Sequence, residues 1–330
     1  MKTHDKRCWL AVLCGAGIAG AALFSQAAVG AEFPDHTITL VVGFSPGGSN
    51  DITARVISQP LSERLGVPVI VENRVGAAGV ISGQHVAQSK PDGYTLGVMS
   101  ASPLVVTPHT LAKLPYDTKK DFTGVSLIGL TPEILAINPR LPVANLAELV
   151  KLARTRSVTL ASAGVGGLPH MAIELLKSAT PGTNIVHVPY KGAAPAVTDA
   201  LAGHVDGVTV DLPAVSNQIA DGQLRGIAAA NDKRSAFLPD LPTAAEQGVQ
   251  GFVAVNWIGV IAPARTPQPV IDKLHAALVQ IMQQAQVKDA LAKAAVEVSV
   301  SETPAAFQKF IGVEDEKWAG IVKAAGVEAE

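Results

Sequence analysis

The chain is poor in the residues that covalent stapling and most enzyme chemistry require. Cysteine occurs only at Cys8 and Cys14, both inside an apolar leader. The rest of the chain therefore holds no disulfide, no thiol nucleophile and no thiolate metal site. It also lacks a basic excess: beyond residue 31 there are 23 Lys and Arg against 27 Asp and Glu, a net charge of −4. A nucleic-acid or anionic-membrane partner is not favoured by that balance. No apolar run after the leader reaches the ~20 residues that span a bilayer. His85, His109, His187 and His204 show no metal-ligand spacing such as H-E-x-x-H, and G-K-[ST] occurs nowhere. Neither a metal nor a nucleotide cofactor is expected.

What is present begins with an export signal. Lys2, Lys6 and Arg7 form a basic start, Trp9 to Phe24 an apolar core, and Val29-Gly30-Ala31 a small-residue cleavage point before Glu32. Residues 1–31 read as a secretory signal peptide, which predicts a soluble periplasmic monomer. Acylation at Cys14 is the variant reading, and Leu13 stands where a small residue would be needed. About 300 further residues with a large apolar share can bury a sizeable core, and that size favours two lobes over one.

The rest of the chain is organised around Val41 to Asp51. Thr37 to Val42 is a β-branched run, Pro46-Gly47-Gly48 breaks it, and Ser49, Asn50 and Asp51 are N-cap types before a helical pattern from Ile52. Backbone N–H groups at such a junction are unpaired and can receive an anion. Gly43-Phe44-Ser45-Pro46-Gly47 also matches the G-x-S-x-G nucleophile elbow. The residue after that nucleophile must donate its N–H to an oxyanion, and Pro46 has none. A secreted serine hydrolase using Ser45 is the alternative function, and it is not an enzyme that the chemistry favours.

Strands and helices then alternate, the pattern of a parallel α/β sheet. Val67 to Val71 and Tyr94 to Met99 read as strands, the second ending in Ser100 and Ser102. Ser126 to Leu130 and Ile134 to Ile137 read as one strand interrupted at Pro132, in a composition suited to a crossing between lobes. After a strand at Val158 to Ala161, Ser162-Ala163-Gly164-Val165-Gly166-Gly167 opens a second glycine-rich junction into a helix at Met171. Strands follow at Ile185 to Val188, Asp206 to Val210, Arg225 to Ala230 and Trp257 to Ile261; helices at Pro269 to Gln283 and Pro304 to Ala325 close the chain.

Several motifs in order carry a resemblance. Phe44-x-Pro46-Gly47-Gly48-x-x-Asp51, Val71-Glu72-Asn73-Arg74-x-Gly76-Ala77-x-Gly79, Pro91-Asp92-Gly93-Tyr94-Thr95-Leu96, His187-Val188-Pro189-Tyr190-Lys191-Gly192 and Leu238-Pro239-Asp240-Leu241-Pro242-Thr243 are similar to the Bug-type extracytoplasmic receptors of tripartite tricarboxylate transporters. The resemblance covers essentially all of the chain beyond the leader. It implies a two-lobed Venus-flytrap of the second periplasmic-binding-protein class, holding a small organic carboxylate between lobes and delivering it to membrane subunits of a transporter. Lobe 1 would comprise residues 32–131 and 250–330, and lobe 2 residues 132–249.

The resemblance further implies ligand-binding positions at Phe44, Pro46, Gly47, Gly48, Asn50 and Ser100 from the first lobe. From the second it implies Ser162, Ala163, Gly164, Gly166, His170, Tyr190 and Asp211. The carboxylate is expected between the loops Pro46 to Asn50 and Ser162 to Gly166, on backbone N–H groups. Asp211 could pair an amino group or cap a turn, and His170 could donate to an anion or pack against its own lobe. Lys191 and Arg74 could attract an acid to the cleft mouth or remain solvated surface charges.

Overall fold

The computed structural model describes residues 33–326, so the signal peptide, its cleavage point and both cysteines lie outside the described residues. Ten strands are described: β1 (Ile38–Val42), β2 (Val69–Asn73), β3 (Thr95–Ser100), β4 (Phe122–Ile137), β5 (Val158–Ala163), β6 (Ile185–Tyr190), β7 (Gly207–Asp211), β8 (Arg225–Ala230), β9 (Val255–Pro263) and β10 (Glu297–Val298). The first lobe orders them β2-β1-β3-β9-β4, with β10 on the far side of β4. The second lobe orders them β6-β5-β7-β4, with β8 also on β4.

Strand β4 belongs to both lobes. From Phe122 to Pro132 it pairs antiparallel with β9, and from Glu133 to Ile137 it pairs with β7 and β8. Sequence reading expects an interruption at Pro132, yet the strand runs through all 16 residues. Pro132 lacks an N–H and stands opposite Val255, the first residue of β9, so the missing donor falls where one ladder ends and the next begins. Neither lobe is purely parallel. β1, β2 and β3 run parallel, as do β5, β6 and β7, but β4 leaves the first lobe and β9 returns to it, so those two must oppose each other.

The first helix, Ser49–Leu65, starts three residues earlier than expected, with Gly48 as N-cap, and stops at left-handed Gly66. Ala54, Ile57 and Leu61 share its buried face and are fully enclosed, covering β1 and β3. Several elements escaped the sequence reading, among them the helix Ala285–Lys293, the short helices Thr107–Thr110, Thr118–Asp121 and Ser216–Ala220, and the two-residue β10. In the second lobe the helix Ala193–Ala202 lays Ala196, Val197 and Ala200 on the small-residue surface of β5 and β7. Small side chains there let helix and sheet approach closely.

The last helix, Pro304–Ala324, holds β9 in place. Phe307 and Phe310 meet the Trp257 ring edge-on at 5.8 and 5.5 Å, and Trp257 and Trp318 both donate to Glu314 Oε2 at 3.3 Å. Gly259 makes this contact possible, because a Cβ there would overlap the Cζ edge of the Phe307 ring, which is wholly buried. We expect Gly259→Ala to destabilise the protein by about 3 kcal/mol through overpacking. A urea melt giving a change under about 0.5 kcal/mol would show that β9 and this helix are not tightly coupled.

Candidate functional site

Carboxyl ends of strands from both lobes converge on one cleft, as open α/β sheets dictate. Phe44 and Ala163 divide it into two chambers, since both residues line each. The outer chamber is about 460 Å³ and is walled by Val75 to Gly79 from the first lobe and by Gly164, Tyr190 and Lys191 from the second. The inner chamber is about 30 Å³. Three junctions face it: Gly48 to Asn50 opening the first helix, Pro169 in the first turn of the helix Leu168–Ala179, and Ala193 opening the next. Helix starts present the positive end of a dipole, while at these junctions the Gly48 N–H donates to the Ser45 carbonyl at 3.3 Å and Pro169 has no N–H.

Eight of the thirteen expected residues line these chambers: Phe44, Gly48, Asn50, Ser100, Ala163, Gly164, Tyr190 and Asp211. The other five do not. Pro46 and Gly47 are exposed, and the Gly47 N–H donates to Asp51 Oδ2 at 3.0 Å. Ser162 is buried beneath the loop, its hydroxyl 2.6 Å from His187 Nε2. Gly166 donates its N–H to His170 Nδ1 at 3.0 Å, and His170 stacks on His187 with ring centroids 3.9 Å apart. Of the two readings of His170, the structure shows packing against its own lobe. Gly164 N–H is likewise engaged, donating to the Ser162 carbonyl at 3.2 Å, so two donors expected to be free in the second loop are bonded internally.

Residues that sequence reasoning missed supply much of the inner wall. Ser102, Glu133 and Asn256 all face the chamber. Glu133 is fully buried and Asn256 is 7% exposed. Glu133 was legible as a lone acid in the apolar run Thr131-Pro132-Glu133-Ile134-Leu135. Burial pushes its carboxyl well above the usual carboxylate range, and the neighbouring Asp211 charge adds to that. Burial also raises Asp211, only partly offset by hydrogen bonding to Ser49 and Asn256.

The lobes touch along the rim. Ser45 Oγ donates to the Lys191 carbonyl at 3.3 Å, Thr110 Oγ1 to the Gly166 carbonyl at 2.6 Å, and Leu168 N–H to Ser102 Oγ at 2.9 Å. At Gly164, where φ is +101°, a Cβ would lie 3.2 Å from Ala78 of the opposite lobe. Ala77 and Ala78 themselves hold left-handed φ values of 46° and 51°, a conformation costing an alanine about 1–2 kcal/mol. Backbone strain thus sits at the contact between lobes. The hydrolase alternative gains nothing here. Among the described residues Ser45 bonds no histidine, and no group of three His, Cys, Asp or Glu could hold a metal. No described helix is long and apolar enough to cross a membrane.

The His170–His187 stack carries a pH signature. Burial, followed by the charges of His170 and Lys177, pushes the His187 imidazole down to about 4. For Glu174, burial alone would raise the carboxyl, but its bonds to His170 and Lys177 outweigh it and hold the group near 2. The unfolded chain takes up a proton at position 187 below about 6.5 while the folded chain does not, so stability falls as pH drops from 6.5 toward 4. Glu174 adds a separate loss between 4.5 and 2. Chemical denaturation between pH 6.5 and 4.5 should show a falling midpoint that His187→Gln flattens. An unchanged slope in that variant would place the proton uptake elsewhere.

Known proteins share this arrangement. The sequence profile described as the tripartite tricarboxylate transporter family receptor matches residues 53–327. Protein BugT of Bordetella pertussis is 38% identical over 297 residues, covering 89% of this chain and 90% of its own. Among solved structures, R. palustris Rpa4515 with adipate superposes with a TM-score of 0.86 at 32% identity, over 90% of this chain and all of that one. MatC from Rhodopseudomonas palustris with bound malate gives 0.84 at 30% identity, over 88% of this chain and all of that one. With a family profile spanning most of the sequence, and relatives matching both lobes, the chain belongs to the tripartite tricarboxylate transporter receptors and is a two-lobed solute-binding protein of that family.

Proposed function

We propose that this receptor is exported to the periplasm, where it acts as a monomer. There it captures a small organic carboxylate between its lobes and hands it to the membrane subunits of a tripartite tricarboxylate-type transporter. The observation that carries this reading is the meeting of strand-to-helix junctions from both lobes around one divided cavity. Each helix start is worth about 0.3–1 kcal/mol to an anion in water, and more in a closed cleft. Two relatives of the same fold hold adipate and malate, both dicarboxylates.

The anion lies at the Gly48 to Asn50 helix start, and the Ser162 to Gly167 loop closes over it. Because Gly164 and Gly166 already spend their N–H groups on Ser162 and His170, the second loop contributes chiefly its shape and close approach. The lobes turn about Pro132 and Glu133 on one crossing and residues 250–255 on the other. Ligand favours the closed arrangement because only that arrangement surrounds it from both sides. Lys191, at the mouth, adds long-range attraction that salt screens.

A thermal-shift screen of organic acids tests the reading, since a ligand at ~100 times its dissociation constant stabilises the folded state by roughly 2.7 kcal/mol. At least one small carboxylate should raise the midpoint, and a serine-reactive probe should leave Ser45 unlabelled. Gly164→Val, which adds a β-branched side chain at positive φ against Ala78, should abolish binding without unfolding the protein. Lys191→Ala should weaken it only modestly and less at high salt. Full affinity in the Gly164 variant, or complete loss in the Lys191 variant, would replace lobe closure and backbone donors with a side-chain ion pair.

A further inference from the structure

The deepest part of the cleft holds more acceptors than an anion site can use. Neither carboxyl oxygen of Glu133 has a hydrogen-bond partner among the described residues, although the residue is fully buried. Asp211, 8% exposed, stands directly opposite it in the β4–β7 ladder. Opposed residues place their Cβ atoms about 4.5–5.5 Å apart, so the two carboxyl groups share one space. Asn256 Oδ1, also buried, is likewise without a partner, while Asp211 is bonded by Ser49 and Asn256. All three line the inner chamber, and no lysine, arginine or histidine does.

Buried acceptors left unpaired are costly, and buried acids without a counter-charge more so. Burial holds both carboxyl groups toward their neutral forms, with the Asp211 charge adding to it for Glu133, which is how a protein tolerates them when nothing compensates. A compensating group would bring several N–H donors and a positive charge. An ammonium has three donors and no acceptor, matching one oxygen each from Glu133, Asp211 and Asn256. Gly48 to Asn50, lining the same chamber with Ser49 bonded to Asp211, form the helix start that favours an anion. Donors and acceptors lining one small chamber complement a head group bearing both charges, while the outer chamber of about 460 Å³ takes the rest of the molecule.

We infer that the ligand of this receptor is an amino-substituted small organic acid, its ammonium held by Glu133, Asp211 and Asn256 and its carboxylate by the helix start at Gly48 to Asn50. The inference rests on the receptor reading above and narrows its ligand class. A second carboxylate, in place of the amine, would meet two acids and no cation, so the same side chains select against plain dicarboxylates.

Calorimetry on the exported chain with acids matched except for an α-amino group provides the test: aspartate against succinate, and glutamate against glutarate. In at least one pair the amino acid should bind about tenfold or more tightly. Glu133→Gln and Asp211→Asn, each checked for an intact fold by circular dichroism, should bring that ratio toward unity. Because the wild-type comparison needs no variant, a folding failure in one substitution leaves the test intact. Dicarboxylates binding as tightly as, or more tightly than, their amino partners would overturn the inference and leave the receptor reading standing. An amino preference unchanged in both variants would overturn the assignment to these side chains. If none of the four acids, nor any other carboxylate in the screen, binds at all, the receptor reading falls and the inference with it.

Discussion

The two lobes are joined by β4, which forms an antiparallel ladder with β9 in the first lobe, from Phe122 opposite Pro263 to Pro132 opposite Val255, and continues as Glu133 to Ile137 into the ladders of the second. Backbone hydrogen bonds in a ladder have fixed spacing and direction, so a strand paired in both sheets fixes the course of the chain from one lobe into the other. The aromatic cluster of Trp257, Phe307 and Phe310 then clamps β9 from behind. Where the ladder ends, Glu133 N–H reaches across to the Ala254 carbonyl and Ala254 N–H to the Ala230 carbonyl, so the transfer between sheets leaves no main-chain donor stranded at those positions.

This arrangement couples the hinge to the site. Glu133 is the first residue of β4 to join the second lobe, and Asn256 is the second residue of β9, so both inner-wall acceptors sit on the segments that cross between lobes. A group gripping them would sit at the crossing between lobes, whereas one held by Phe44, Gly164 or Tyr190 would sit at the rim. Contacts at a pivot change little as the lobes separate. Contacts at the rim are made and lost as a set.

The fold was legible where local chemistry and tertiary context agree. Glycine-rich junctions after β1 and β5, the alternation of element types and the proline-marked crossing could all be read, because each depends on turn chemistry or side-chain period that neighbours in sequence determine. The antiparallel course of β9 could not be read, since strand direction is a property of pairing and leaves no local trace. Single positions divide the same way. Ser100 and Asp211 end strands, and the resemblance implied both, while Glu133 and Asn256 lie inside or near the start of strands where an apolar residue is the ordinary occupant. The internal caps Asp51 to Gly47 and His170 to Gly166 were hidden as well, because a donor's availability depends on side chains folding back four residues away.

The three rim hydrogen bonds, at Ser45, Thr110 and Ser102, connect the lobes through protein groups alone. Any free energy they supply to closure is independent of what the cleft contains. A receptor that closes partly on its own asks less of its cargo, since the apparent dissociation constant is the intrinsic one divided by the fraction already competent. The same bias blurs the message sent to a membrane partner, which must tell a loaded receptor from an empty one by shape. Every increment of self-closure improves scavenging of dilute solute and raises the share of unproductive dockings.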